Sequence, residues 1–102
     1  MNMIVSNEPG YYEQDQFGIR IESLVVVKKA DTPHQFNDQT FLGFETITFV
    51  PLQKKLMKLE DMSAQEIAWV DSYHQEVWEK LHDKVSAEAQ EWLRSSTEAL
   101  SQ

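Results

Sequence analysis

The chain has 102 residues, a mass of 11.9 kDa and a formal net charge of −8, from 17 acidic against 9 basic side chains. That balance disfavours nucleic acid or an anionic membrane as a partner, while 41% hydrophobic content with only 3 Gly and 3 Pro belongs to a globular chain rather than a disordered one. The absence of cysteine excludes a disulfide framework and thiolate chemistry, no apolar run approaches the roughly 20 residues of a membrane helix, and residues 1–10 lack the pattern of a signal peptide, so a soluble, cytoplasmic protein is expected.

Met3, Ile4 and Val5 form a short apolar run that stops at the turn residues Asn7, Pro9 and Gly10, as the tail of a strand does. It starts abruptly for a natural N-terminus, as if joined behind a Met-Asn pair. From 17 to 27 the pattern alternates: Ile19, Ile21, Val25 and Val27 share one face of a predicted strand, and Arg20, Glu22, Leu24 and Val26 the other. Arg20 and Glu22 therefore project the same way. Residues 28–38, with Pro33, read as a loop, and 41–50, rich in Phe, Thr, Ile and Val, as a second long strand that Pro51 ends.

At Ser63 the character changes. Ser63-Ala64-Gln65-Glu66 is a capping-box pattern, with Met62 and Ile67 placed for a hydrophobic staple, and Ile67, Val70, His74, Val77 and Leu81 recur at helical spacing. Ser86 can cap a second helix carrying Ala89, Trp92, Leu93 and Leu100 on its inner face. Residues 60–102 hold 10 acidic and 3 basic side chains, a net of −7, whereas residues 1–59 hold 7 and 6, a net of −1. The expected organisation is a strand-rich part over 1–60 and a helical tail over 61–102, an α+β architecture. The Trp and Val stripe of that tail is expected to be core or domain interface.

The chemistry concentrates in two segments, Glu8-Pro9-Gly10-Tyr11-Tyr12 and Gly18-Ile19-Arg20-Ile21-Glu22. Glu8 precedes a Pro-Gly turn and Glu22 lies on a strand pattern, so two backbone segments could each aim a carboxylate at one ion. Hard divalent cations favour such ligands, and a carboxylate can bridge two of them. Taken singly, the same residues read as exposed carboxylates, Arg20 with Glu22 as a surface ion pair, and Tyr11 and Tyr12 as turn packing. His34, His74 and His82 share no spacing that suits a metal, and Glu45, without an acidic neighbour two positions away, reads as a structural or edge residue.

Together the two motifs resemble the closing half of the pita-bread metallopeptidases, and most nearly the Xaa-Pro aminopeptidases. The likeness continues through Gln35-Phe36-Asn37, residues 44–48 and 50–53, Trp69 to His74, and Glu91-Trp92-Leu93. It implies the C-terminal part of a pita-bread catalytic domain in a longer enzyme that releases the N-terminal residue preceding proline. It implies further that Glu8 and Glu22 are ligands of a dinuclear metal centre, manganese with zinc or cobalt as alternatives, completed by two aspartates and a histidine from earlier in the chain. Glu8 is then also a candidate proton shuttle, and Arg20 and Tyr12 orient ligands or substrate. Without the other three ligands the 102 residues alone are expected to be inactive, not to hold the metal pair, and to self-associate through exposed strands. Prolidase-type dipeptidases share much of both motifs, and a non-catalytic interaction module of the same fold is the rival of a different class.

Overall fold

The computed structural model describes residues 2–34 and 39–100. The chain divides into two compact units, residues 1–48 and 49–102. The first holds five strands: β1 (Ile4–Asn7), β2 (Gly10–Glu13), β3 (Phe17–Arg20), β4 (Ser23–Ala30) and β5 (Phe41–Thr46). The second holds two short 3-10 turns, Lys54–Leu56 and Leu59–Asp61, followed by α1 (Ala64–Leu81) and α2 (Ala87–Ser96).

In the first unit all pairing is antiparallel. A three-stranded sheet runs in the order β1-β4-β5, and β2 with β3 makes a separate hairpin. The hairpin turns on Asp15, which takes a φ of 59°, while the Gln16 N–H donates to the Glu13 carbonyl at 3.1 Å. Aspartate tolerates that left-handed geometry better than most residues.

The register joins the two ladders. Asn7 lies opposite Ser23, and Gly10 lies opposite Arg20. Stepping from either pair towards the other sets Glu8 against Glu22 and Pro9 against Ile21, so β1–β2 and β3–β4 form one ribbon with a gap at these four residues. The Ile21 N–H donates to the Pro9 carbonyl at 3.1 Å. Proline has no N–H to return that bond, and the ladder is interrupted there. The strand expected over 17–27 is therefore two strands, broken at Ile21 and Glu22.

Two other boundaries differ from expectation. β4 continues to Ala30, into the segment read as loop, because Lys28, Lys29 and Ala30 pair with Gly43, Leu42 and Phe41. β5 stops at Thr46, short of Val50; beyond it Ile47 N–H still donates to the Leu24 carbonyl at 2.9 Å, but the Leu24 N–H turns to the Thr48 hydroxyl at 2.7 Å. Residues 35–37 of the family resemblance lie outside the described residues.

The core belongs to the second unit. Ser63 accepts the Glu66 N–H and the Glu66 carboxylate accepts the Ser63 N–H, a complete capping box, and Ser86 accepts the Ala89 N–H at the start of α2. Val70, Tyr73, His74 and Val77 of α1 and Leu93 of α2 are buried, with Phe49, Leu52, Trp78 and Leu81 packed against the cluster. Full burial of a valine such as Val77 contributes about 1.5–3 kcal/mol. The polar groups hold the preceding segment as well: the Tyr73 hydroxyl donates to the Val50 carbonyl at 3.0 Å, and His74 Nε2 accepts the Leu52 N–H at 2.9 Å. Lys54 donates to the carbonyls of Ser95, in the last turn of α2, and Glu98, just past its end, at 2.9 and 3.1 Å.

The tryptophans do not behave alike. Trp78 leans on the core, but Trp69 and Trp92 are more than half exposed, and Leu100 lies past the end of α2 with its N–H on the Asp71 carboxylate. The first unit buries much less. Among the described residues Val25 is its one buried apolar side chain, while Met3, Ile4, Leu42 and Phe44 stay open.

Candidate metal centre

Opposed residues of an antiparallel ribbon share a face, and so do residues two apart on one strand. Glu8, Gly10 and Tyr12 on one side of the hairpin and Gly18, Arg20 and Glu22 on the other thus form a single face. Pro9, Tyr11, Glu13, Phe17, Ile19 and Ile21 form the reverse face. The four residues singled out in the sequence, Glu8, Tyr12, Arg20 and Glu22, fall together on the first of these.

The parity of the hydrogen bonds refines the geometry. Because Pro9 and Ile21 are a bonded pair, the adjacent Glu8–Glu22 pair occupies a non-bonded position, where opposed Cβ atoms approach most closely, on the order of 5 Å. All four residues are exposed. Among the described residues neither carboxylate is ion-paired or hydrogen-bonded, and Arg20 makes no ion pair with Glu22. Like charges set directly opposite each other destabilise a ribbon unless a cation relieves them.

Two adjacent, uncommitted carboxylates are a fitting partial ligand set for a hard divalent ion. They are not a complete one. Among the described residues no three His, Asp or Glu side chains gather where an ion could be held, so a full centre needs donors from elsewhere. Among the described residues no histidine joins the two carboxylates. His34 is an exposed loop residue, His82 stacks on Trp78 at 5.0 Å, and His74 is fully buried. Burial holds His74 below its ordinary imidazole value, and the Lys54 charge adds to this while Asp71 opposes it. Glu45 sits on the edge strand β5, paired with Lys28.

Apart from Glu13, the reverse face is apolar or aromatic. Tyr11 and Phe17 rings lie 6.1 Å apart, and Tyr11 donates its hydroxyl to Glu13, which holds the phenol above its ordinary value. Sequence reasoning missed the hairpin and with it Gly10 and Gly18. A Cβ on Gly18 would lie 2.7 Å from the Tyr12 ring, and one on Gly10 would lie 2.7 Å from the Tyr12 hydroxyl. A glycine two residues before a tyrosine, with another glycine across a short turn, was the available signal.

Known proteins resemble the chain over almost its whole length. Residues 40–100 match the family described as the C-terminal region of peptidase_M24. The chain is 50% identical over 99 residues to Aminopeptidase P2 of Arabidopsis thaliana, covering 96% of the chain and 14% of that protein. It is 47% identical over 97 residues to the "Probable Xaa-Pro aminopeptidase P" of Coprinopsis cinerea, covering 93% of the chain and 16% of that protein. A crystal structure of X-prolyl aminopeptidase from Caenorhabditis elegans, described as a cytosolic enzyme with a di-nuclear active site, matches with a TM-score of 0.77 and 28% identity over 95% of the chain and 16% of that one. The chain thus spans about one-seventh of the length of these relatives. Its antiparallel strands followed by two helices are the C-terminal part of a pita-bread domain, and the chain belongs to the Xaa-Pro aminopeptidase family of peptidase M24.

Proposed function

We infer that this chain contributes Glu8 and Glu22 as two ligands of a dinuclear metal centre in a longer enzyme that cleaves the bond between an N-terminal residue and a following proline. The observation that carries the reading is the opposed, unpaired Glu8 and Glu22 on the face they share with Arg20 and Tyr12. The di-nuclear active site of the C. elegans relative supports two ions, with manganese the first choice for an all-oxygen ligand pair and zinc or cobalt the alternatives. Its cytosolic description supports the cytoplasm as the location.

A bound metal pair supplies an activated water and polarises the scissile carbonyl. The chain's own residues do the rest. Glu8 and Glu22 would hold the ions by charge, and the Glu8 carboxylate would serve as the proton shuttle, taking a proton from the attacking water and giving it to the departing proline nitrogen. Arg20, two positions before Glu22 on the same face and not ion-paired with it, brings a positive charge that offsets the charge of the two carboxylates. Tyr12 offers a neutral O–H donor. A peptide bond to proline has no N–H, so selectivity must come from the shape around the proline ring and from capture of the free N-terminus.

The test is metal content and turnover of the full-length enzyme. Glu8→Ala and Glu22→Ala should each lose metal and most activity on a peptide with proline second, while Glu45→Ala keeps both. Full metal occupancy in Glu22→Ala rejects the ligand assignment.

A further inference from the structure

We propose that Gly10 and Gly18 are positioning residues: together they form a floor on which the Tyr12 ring lies flat, delivering its hydroxyl to the Arg20 edge of the Glu8–Glu22 pair. The proposal rests on the functional reading above for its catalytic consequence, and on the hairpin geometry alone for the floor itself.

Tyr12 lies opposite Gly18, and Gly10 lies opposite Arg20. An ideal Cβ on Gly18 would fall 2.7 Å from Tyr12 Cδ1 and 3.1 Å from Cε1. One on Gly10 would fall 2.7 Å from the Tyr12 hydroxyl oxygen and 3.0 Å from Cζ. The near edge of the ring therefore covers one glycine and its hydroxyl end covers the other. The side chain runs along the ribbon instead of standing off it. Neither glycine has a positive φ, so backbone conformation does not require them; space does.

The direction of the ring is what matters chemically. Lying this way, Tyr12 reaches past its own register position to Gly10, whose neighbours on the face are Glu8, Arg20 and Glu22. A side chain at either glycine lifts the ring, and the hydroxyl then swings towards solvent. The two obstructions differ in kind. At Gly18 only the tyrosine ring stands in the way, whereas at Gly10 the Ile19 carbonyl oxygen lies 2.8 Å from the added carbon as well. Gly18→Ala is accordingly the cleaner probe, because the ring can yield without distorting the backbone.

The floor is tested by nuclear magnetic resonance on the chain: a ring laid on a glycine shifts its α-protons upfield, and Tyr12→Leu should return those of Gly10 and Gly18 to ordinary values. Absence of the upfield shift overturns the floor. Its role is tested in the metal-loaded full-length enzyme, where Gly18→Ala should lower kcat by the same factor as Tyr12→Phe, with KM and metal content unchanged. The double variant should lose no more than either single one. Unchanged kcat in Gly18→Ala, or losses that multiply, overturn the positioning role. If the wild-type enzyme binds no metal, the functional reading fails, and the resonance experiment still decides the floor.

Discussion

The Pro9 carbonyl accepts the Ile21 N–H at 3.1 Å, and Pro9 has no amide proton to give back. This one-sided bond leaves a gap in the ribbon, and the gap is where Glu8 and Glu22 face each other. Metal-free, they repel. Replacing Glu22 by Gln in the chain, with a chelator present, should therefore raise stability by a few tenths of a kcal/mol at low ionic strength, and the gain should shrink in 1 M salt. Urea unfolding at the two salt concentrations gives the answer, and a loss of stability at low salt would remove the two carboxylates from opposed positions.

The chain by itself should not hydrolyse peptides with proline second when supplied with Mn²⁺, Co²⁺ or Zn²⁺. Two carboxylates on an exposed ribbon cannot hold two ions at the spacing of roughly 3.5–4 Å that joint activation of water requires. Turnover by purified chain, abolished by Glu8→Gln, is the contrary outcome.

His74 should make the second unit acid-sensitive. Its Nε2 accepts the Leu52 N–H, which leaves the proton on Nδ1, and burial opposes a second proton. Above its ordinary value of 6.5 the residue is neutral whether the chain is folded or not, and stability is complete. As the pH falls below 6.5 the unfolded chain takes up a proton that the folded one resists, and stability declines towards the lower folded pKa. Denaturant midpoints at about pH 7.5 and pH 5 should differ less in His74→Gln, which retains an acceptor for Leu52 without titrating. An equal difference in both proteins would assign the acid response to other groups.

Self-association is expected of the isolated chain. β1 and β5 are the edges of the three-stranded sheet, and Leu42 and Phe44 on β5 are exposed. Unpaired edges beside apolar side chains invite pairing with another copy. Light scattering at tens of micromolar should show a mass that rises with concentration. A constant 11.9 kDa would contradict this.

What the sequence made legible follows from how local each signal is. The helices announced themselves through Ser63, Glu66 and Ser86, because a cap is a contact three residues long. Glu8 and Glu22 stood out through their motifs. The break between β3 and β4 did not, since the alternating pattern passes through Ile21 and Glu22 unchanged and the cause is a proline twelve residues earlier in the chain. The attachment of Val50 and Leu52 was hidden for a similar reason: Tyr73 and His74 reach across more than twenty positions with side-chain atoms. The exposure of Trp69 and Trp92 shows another limit. Periodicity identifies an apolar stripe, but not whether the covering surface is within the same 102 residues.

The glycine floor has an evolutionary corollary. Position 18 is obstructed only by the ring of Tyr12, so lineages that exchange this tyrosine for a small residue become free to exchange Gly18, and the two sites should vary together. Position 10 has no such freedom, because the Ile19 carbonyl stands there whatever residue 12 is. Across a deep alignment, glycine at 10 should persist in sequences where the tyrosine and glycine at 12 and 18 have both drifted.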